Sequence, residues 1–294
     1  MKLELKKFFE DLIGAHNAPD VRTKPSAIFD LAVQKTRELG RGVLDILDEK
    51  DIGMPSYRED AVLAQERFEP TEWVRPLDNQ LETLLGYMPT LKVEEPYFRA
   101  RREAAPVEGM NRVLVPKISA LGKANKLENP YAQIGVLVEQ VCSFLDTQRE
   151  GQFTHYRKGA LGPDRIRCIQ QIVDIRKKLE AATPGDLLVL DADMGNRYAG
   201  WTPRRARSHT LISAKELALS SVDVAWVLLL NPDRLQRNTD LSVDAVMEEY
   251  LSLDRGWVTN LFFYYRGGKL EFGYRWNRRA YFDCGSAVAE IKQV

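Results

Sequence analysis

The stretch TNLFFYYRGGKLEFGYRW, residues 259–276, constrains the fold more than any other part of the sequence. Aromatic and apolar residues flank Gly267-Gly268 on both sides, and two adjacent glycines supply the positive φ angles of a two-residue hairpin turn. The opposite face, which carries Arg275, is mixed in character. The stretch therefore predicts an antiparallel hairpin with one covered face. Pairing outward from the turn assigns to that face Leu261, Phe263, Tyr265, Leu270, Phe272, Tyr274 and Trp276.

The apolar spacing changes near TPGD, residues 183–186. Before this point the spacing is mainly that of helices, and after it apolar residues tend to recur at every second position. We therefore predict an α+β protein in two parts. Residues 1–182 form a mainly helical region with a proline-rich irregular segment at 54–116, and residues 183–294 form an α+β domain with antiparallel hairpins. The sheet of this domain is expected to be mostly antiparallel.

Several elements can be predicted in the first part. The helix expected at residues 130–147 has the clearest signals, because Asn129 can cap it and Pro130 suits its first turn. Its apolar face comprises Ile134, Leu137, Val138, Val141 and Leu145. Other helices are expected at residues 5–13, at 26–40, and from 163 to the TPGD turn, with a strand at RVLVP, residues 112–116.

Three further elements are predicted in the second part. The run VDVAWVLLL, residues 222–230, is apolar at both odd and even positions, as expected of a central strand. A short helix is expected from Ala214, because Ser213 and Glu216 have the spacing of a capping box. Another helix is expected over residues 243–253, where apolar residues recur at helical intervals.

The stretch GDLLVLDADMGNRYAGWTPRRAR, residues 185–207, contains two acidic residues that could bind a metal. Asp191 and Asp193 lie two apart on a predicted strand, so their side chains would be about 7 Å apart on one side and could share a divalent ion. We favour a structural role, because Gly195-Asn196 suits a hairpin turn and acids on a solvated edge prevent aggregation. A metal-dependent transferase or hydrolase that uses both acids is the alternative.

Other candidate sites have weaker signals. Asp240 precedes the helix predicted at 243–253, and Asp244 and Glu248 lie one turn apart within it, which we interpret as a solvated helix face. Cys284 could act as a nucleophile with His209 as its base, although a lone cysteine in an apolar neighbourhood is usually an inert core thiol. The common signatures of nucleotide-binding proteins, zinc proteases and serine hydrolases do not occur in the sequence.

Arginines and aromatic residues are concentrated in two segments, RYAGWTPRRAR (197–207) and YRWNRRAY (274–281), and neither segment contains an acidic residue. Arginine beside exposed aromatic rings suits protein interfaces as well as phosphate contact and base stacking. If the segments fold together, their cations would repel one another unless a partner neutralises them. We expect Arg275 to point outward together with Arg278 and Arg279. The candidate binding residues are Tyr198, Trp201, Arg204, Arg205, Arg207, Arg275, Arg278 and Arg279.

These features predict a non-enzymatic binding or assembly protein whose second domain presents an arginine and aromatic surface. A protein partner or self-assembly is favoured over nucleic acid, because 42 basic side chains balance 42 acidic ones and provide no overall attraction to a polyanion. An accessory protein that binds nucleic acid is a second alternative. No cofactor is expected, apart from a divalent metal in the transferase or hydrolase alternative.

The sequence also suggests where the protein resides. Charges interrupt the first fourteen residues, which argues against a secretory signal, and no apolar run approaches the length of a membrane span. The three cysteines lie far apart, as expected of free thiols in a reducing compartment. We therefore expect a cytoplasmic protein that makes no membrane contact.

Overall fold

The structure is a computed structural model that describes residues 73–213, 215–253 and 256–291. Within these ranges the chain forms seven α-helices and a ten-stranded sheet. The helices are α1 (Leu77–Tyr87), α2 (Glu95–Glu103), α3 (Ile118–Ala124), α4 (Ile134–Gln148), α5 (Gln170–Ala182), α6 (Pro203–Ser213) and α7 (Ser221–Leu230). The strands are β1 (Asn111–Pro116), β2 (Phe153–His155), β3 (Ile166–Cys168), β4 (Leu187–Met194), β5 (Glu216–Ala218), β6 (Ser242–Asp244), β7 (Glu248–Ser252), β8 (Gly256–Arg266), β9 (Lys269–Trp276) and β10 (Cys284–Glu290).

The described residues confirm the α+β class but not the type of sheet. Successive neighbours in the sheet are β1, β4, β10, β6, β8, β7 and β3, while β9 pairs with β8, β2 with β9, and β5 with β10. The pairings of β10 with β6 and of β2 with β9 are parallel. The sheet is therefore mixed rather than mostly antiparallel, because β2 and β10 reach these neighbours through long connections instead of hairpins.

The sheet contains strands from both sides of the boundary predicted at residue 182. β1 and β3 come before this point in the chain, yet they pair with β4 and β7, which come after it. The strand predicted at residues 112–116 is confirmed as β1. In the described part of the proline-rich segment, α1 and α2 are short helices. The helices predicted at residues 5–13 and 26–40 lie outside the described residues.

β8 and β9 form the predicted hairpin with the predicted register. Phe263 pairs with Phe272, and their ring centroids lie 4.5 Å apart. Gly267 and Gly268 have φ angles of 59° and 83°, which are the positive values that the turn requires. Both phenylalanines are fully buried, so the covered face of this hairpin is part of the hydrophobic core.

α7 occupies the run that we predicted as a central strand. All its residues are buried, and it packs against α1, α4, β1 and β8. A helix enclosed on every side is apolar all round and so produces the same unpatterned run as a buried strand. Ser220 and Asp223 form its capping box, with Asp223 N–H donating to the Ser220 hydroxyl at 3.1 Å. The capping box predicted at Ser213 and Glu216 is wrong, because Glu216 begins β5.

The helix predicted over residues 243–253 is also wrong, because β6 and β7 occupy this stretch. Residues 245–247 separate the two strands and are buried as well. Apolar side chains from both strands and from the connection enter the core. Because the connection interrupts the alternation of the strands, these side chains recur at intervals close to those of a helix. Both strands pair with β8, which is the longest strand among the described residues.

Two predicted helices are present with later starting points. α4 begins at Ile134 instead of residue 130, and its predicted apolar face is buried. α5 ends at Ala182 as predicted, but it begins at Gln170 instead of residue 163. The reason is β3, which occupies three of the intervening residues and pairs with β7 at the edge of the sheet.

Candidate binding surface

The two arginine and aromatic segments fold side by side. β4 leads through a turn into α6, while β9 leads through residues 277–283 into β10. The N–H of Gly200 donates to the carbonyl of Cys284 at 2.9 Å, and the N–H of Arg204 donates to the carbonyl of Asn277 at 3.0 Å. These backbone bonds hold each end of the second loop against the first, so the structure brings together the segments that the sequence singled out.

Two glycines make a further close contact between the same parts of the chain. A Cβ atom on Gly285 would lie 1.8 Å from the carbonyl oxygen of Gly195. Gly195 also has a φ angle of 116°, which L side chains rarely adopt. Glycine at both positions is therefore required for the turn after β4 to meet β10.

Arg207 and Arg275 are both buried, which corrects the prediction that Arg275 points outward. Arg207 donates through Nη1 to Oε1 of Glu249 at 2.8 Å. Arg275 donates through Nε to Oδ1 of Asp244 at 2.6 Å. Arg275 is covered because β6 places the carboxylate of Asp244 beside it. Both guanidinium groups are internal ion-pair members, so neither adds an unneutralised cation to the surface.

The exposed arginines lie against aromatic rings. Arg205 is exposed, and its guanidinium carbon lies 4.2 Å from the centroid of the Trp201 ring. Arg279 is exposed as well, and its guanidinium carbon lies 5.2 Å from the centroid of the Tyr281 ring. Stacking of this kind holds a guanidinium in place while its N–H groups stay free to bind a ligand.

One face of α6 carries the exposed residues of the first segment. Arg205, His209 and Ile212 follow the i, i+4, i+7 spacing of a single helix face. His209 and Ile212 are each 52% exposed. The other side of the helix is buried through Pro203, Ala206, Arg207 and Thr210. α6 is therefore anchored on one side and presents a basic, aromatic and apolar stripe on the other.

We refer to the exposed and partly exposed part of these two segments as the Trp201 surface. It combines cations, aromatic rings and aliphatic carbon, and Phe282 adds a second large apolar side chain that is 52% exposed. Tyr198, which the sequence also suggested, lies beneath this surface at 2% exposure. The Trp201 surface consists of Trp201, Arg204, Arg205, His209, Ile212, Arg278, Arg279, Tyr281 and Phe282.

A hydrogen-bonded relay connects this surface to a buried carboxylate. The Tyr198 hydroxyl donates to Glu216 and lies 2.7 Å from Nδ1 of His209. Arg197 also donates to Glu216. Burial, and then the hydrogen bond to Glu216, raise the pKa of Tyr198, so its hydroxyl keeps its proton at neutral pH. The sequence gives no sign of this relay, because Glu216 has the spacing of a helix-capping residue and no spacing rule connects it to His209.

Asp191 lies inside the sheet instead of on a solvated edge. β4 has β1 on one side and β10 on the other, and no strand follows it in a hairpin. Asp191 is 2% exposed and accepts from Nε of Arg112 at 2.9 Å and from Nη2 of Arg101 at 3.1 Å. The hairpin predicted at Gly195-Asn196 is therefore wrong, and the carboxylate of Asp191 is engaged by arginines.

Asp193 shapes the turn that follows β4. Its Oδ1 accepts from the N–H groups of Gly195 at 2.8 Å and Arg197 at 3.1 Å. Burial raises its pKa, although these hydrogen bonds act in the opposite direction. Among the described residues, no group of three or more histidine, cysteine, aspartate or glutamate side chains is arranged to hold a metal ion. The two acids thus take part in an ion pair and a turn.

The remaining candidate residues are buried too. Burial raises the pKa of Cys284, which is 3% exposed, so its thiol is not activated. Asp240, Asp244 and Glu248 are all buried and do not share a helix, so their interpretation as a solvated helix face is wrong. Glu248 has its side chain at 0% exposure and accepts from the N–H of Ser221 at 2.6 Å.

No protein-family model, curated protein or solved structure matches the chain. Within the described ranges, no helix has both the length and the apolar character needed to cross a membrane.

Proposed function

We propose that this protein is a non-enzymatic binding protein and that its Trp201 surface holds an acidic segment of a partner protein. The observation that carries this proposal is the pair of exposed arginine and aromatic stacks, Arg205 on Trp201 and Arg279 beside Tyr281. The two stacks lie in segments that are fixed to each other by backbone hydrogen bonds. A surface of this kind is ordered before the partner arrives, which lowers the entropic cost of binding.

The composition of the surface supports a protein partner over nucleic acid. Tryptophan, tyrosine and arginine are the residues most enriched in the energetically dominant positions of protein interfaces. Ile212 and Phe282 add exposed apolar area, which a phosphate backbone does not require. Arg207 and Arg275 are already neutralised by internal carboxylates, so the charge available to a polyanion is smaller than the sequence suggests.

The charge balance of the surface supports an acidic partner segment. Within residues 197–213 and 275–283, Asp283 is the only acidic residue in the sequence. Arg205 and Arg279 are exposed, and guanidinium groups bind carboxylates through paired hydrogen bonds. An acidic segment would satisfy these groups while its apolar residues contact Ile212 and Phe282.

The proposal can be tested with a rhodamine-labelled polyglutamate peptide and fluorescence anisotropy at low salt. Replacing Trp201, Arg205 and Arg279 with alanine should weaken binding at least tenfold, because it removes both stacks. The matched control is Arg266→Ala with Lys269→Ala, which also removes two exposed cations but at the turn of the hairpin. That turn is about 20 Å along β9 from its opposite end, so the control should bind within about twofold of the wild type.

Each outcome of this experiment has a clear meaning. Binding should weaken as salt is raised, because exposed charges are screened within about 10 Å at 0.1 M salt. No binding by the wild type, or equal losses in the two variants, would contradict the proposal. Tighter binding to an oligothymidylate of equal charge would favour the nucleic-acid alternative instead. A second variant that retains Trp201 and replaces only Arg205 and Arg279 guards against misfolding, which circular dichroism would report.

A further inference from the structure

The relay beneath the Trp201 surface determines which nitrogen of neutral His209 carries the proton. A tyrosine hydroxyl has a single proton to donate, and that of Tyr198 is directed to Glu216. The same oxygen lies 2.7 Å from Nδ1 of His209, so it must accept a hydrogen bond from Nδ1–H. The neutral ring is therefore protonated at Nδ1, and Nε2 carries the lone pair. No described residue forms a hydrogen bond with Nε2.

Protonation of His209 requires no rearrangement of this relay. A proton added at Nε2 leaves the Nδ1–H bond to Tyr198 intact, and it places a positive charge on a ring that is 52% exposed. A ring that instead donated through Nε2 and accepted at Nδ1 would lose its internal hydrogen bond on protonation. The observed arrangement thus allows the charge of the surface to change while the fold around it stays the same.

The charged and titratable groups around His209 come from three elements. Glu216 of β5 has Oε2 at 3.9 Å from Nδ1. Arg197, in the turn after β4, is paired with that same carboxylate. Arg205 lies one helical turn earlier on α6, and Tyr198 keeps its proton. These are the charged and titratable groups that face the ring.

We infer that His209 makes the Trp201 surface bind its acidic partner more tightly as the pH falls, an inference that rests on the function proposed above. An imidazole is the side chain that gains a charge between about pH 8 and pH 5. The added charge attracts carboxylates, and the new Nε2–H group can donate to one of them. An extra unit charge near a partner carboxylate at the surface corresponds to an increase in affinity of about fivefold.

The test measures the affinity for the polyglutamate peptide at pH 8 and pH 5.5, where its carboxylates remain largely ionised. The wild type should bind about fivefold more tightly at pH 5.5, after correction for the response of His209→Asn. The amide of asparagine takes the place of Nδ1, so it can still form a hydrogen bond with Tyr198, and it does not titrate. The same pH response in both proteins would overturn the inference.

A second measurement does not depend on any variant. Imidazole ¹⁵N shifts of the wild type should show the tautomer protonated at Nδ1 at high pH, and saturating peptide should move the titration midpoint of His209 upward by linkage. An unchanged midpoint in the peptide complex would contradict the inference. Failure of the proposed function looks different, because the wild type would then bind the peptide at neither pH.

Discussion

Replacing Glu248 with glutamine should change how the stability of the protein depends on pH. The carboxyl group of Glu248 is fully buried at the start of β7 and accepts from the N–H of Ser221, the first residue of α7. Burial raises its pKa from the ordinary 4.5 to about 7, while the bonds to Ser221 partly oppose this change. The nearby carboxylate of Asp223 raises the pKa further, and Arg207 lowers it.

The sign of the effect follows from the two protonation states. Because the folded state binds this proton more tightly than the unfolded state, the stability due to Glu248 is fully present below about pH 4.5 and is lost as the pH rises to about 7. At about 1.4 kcal/mol per pH unit, this difference corresponds to about 3 kcal/mol. Glutamine resembles the protonated acid and does not titrate, so Glu248→Gln should lack this loss.

The assay is urea denaturation of the wild type and Glu248→Gln from pH 4.5 to pH 8. The free energy of unfolding of the wild type, minus that of the variant, should fall by about 3 kcal/mol between these limits. Other titrating groups contribute equally to both proteins and cancel in this difference. Parallel curves would refute the reasoning, because they would show that Glu248 has the same pKa in the folded and unfolded states.

Three further predictions concern the arginines, the glycine contact and the acids. Arg275→Ala should lower the free energy of unfolding by about 3–5 kcal/mol in urea denaturation, because it leaves a buried carboxylate unpaired. Arg279→Ala should change it by no more than about 0.5 kcal/mol. Similar losses in the two variants would contradict the assignment of Arg275 as buried and Arg279 as exposed. Gly285→Ala should lower stability by at least about 1–3 kcal/mol through the clash with Gly195, and an unchanged midpoint would disprove that contact. Because arginines occupy Asp191, magnesium or manganese should leave the melting temperature unchanged, and a clear increase would support a metal site.

Parts of the fold with a regular local pattern could be predicted from the sequence. The β8–β9 hairpin is one such part, because the turn glycines determine its register and each strand alternates between a covered and a less covered face. α4 is another, because only one side of it is buried, so its apolar residues recur at helical intervals. In both cases a single covered face gives the sequence a period that can be read.

The elements that were predicted wrongly lack such a period. α7 is buried on every side, so its sequence does not distinguish a helix from a strand. β4 is covered on both faces and lies between β1 and β10. The turn residues near Gly195 do not indicate these two neighbours. β6 and β7 are too short to show alternation. These elements depend on contacts with distant parts of the chain.

The candidate site, like the fold, could be predicted only in part from the sequence. The concentration of arginine and aromatic residues indicated which two segments to examine, and the structure places those segments side by side. The sequence did not show which arginines are exposed. Arg207 and Arg275 are buried beside Glu249 of β7 and Asp244 of β6, which are distant from them in the sequence. Local composition thus located the surface, whereas the distant carboxylates determine its charge.

The most direct test of the central claim is to map where the acidic peptide binds. Backbone amide chemical shifts of isotope-labelled protein would be recorded while the polyglutamate peptide is added. If the Trp201 surface holds the peptide, the largest changes should fall in residues 200–213 and 277–283, with little change at the hairpin turn at 266–269. Changes centred on the hairpin turn or elsewhere, or binding that leaves both segments unperturbed, would contradict the proposed binding site.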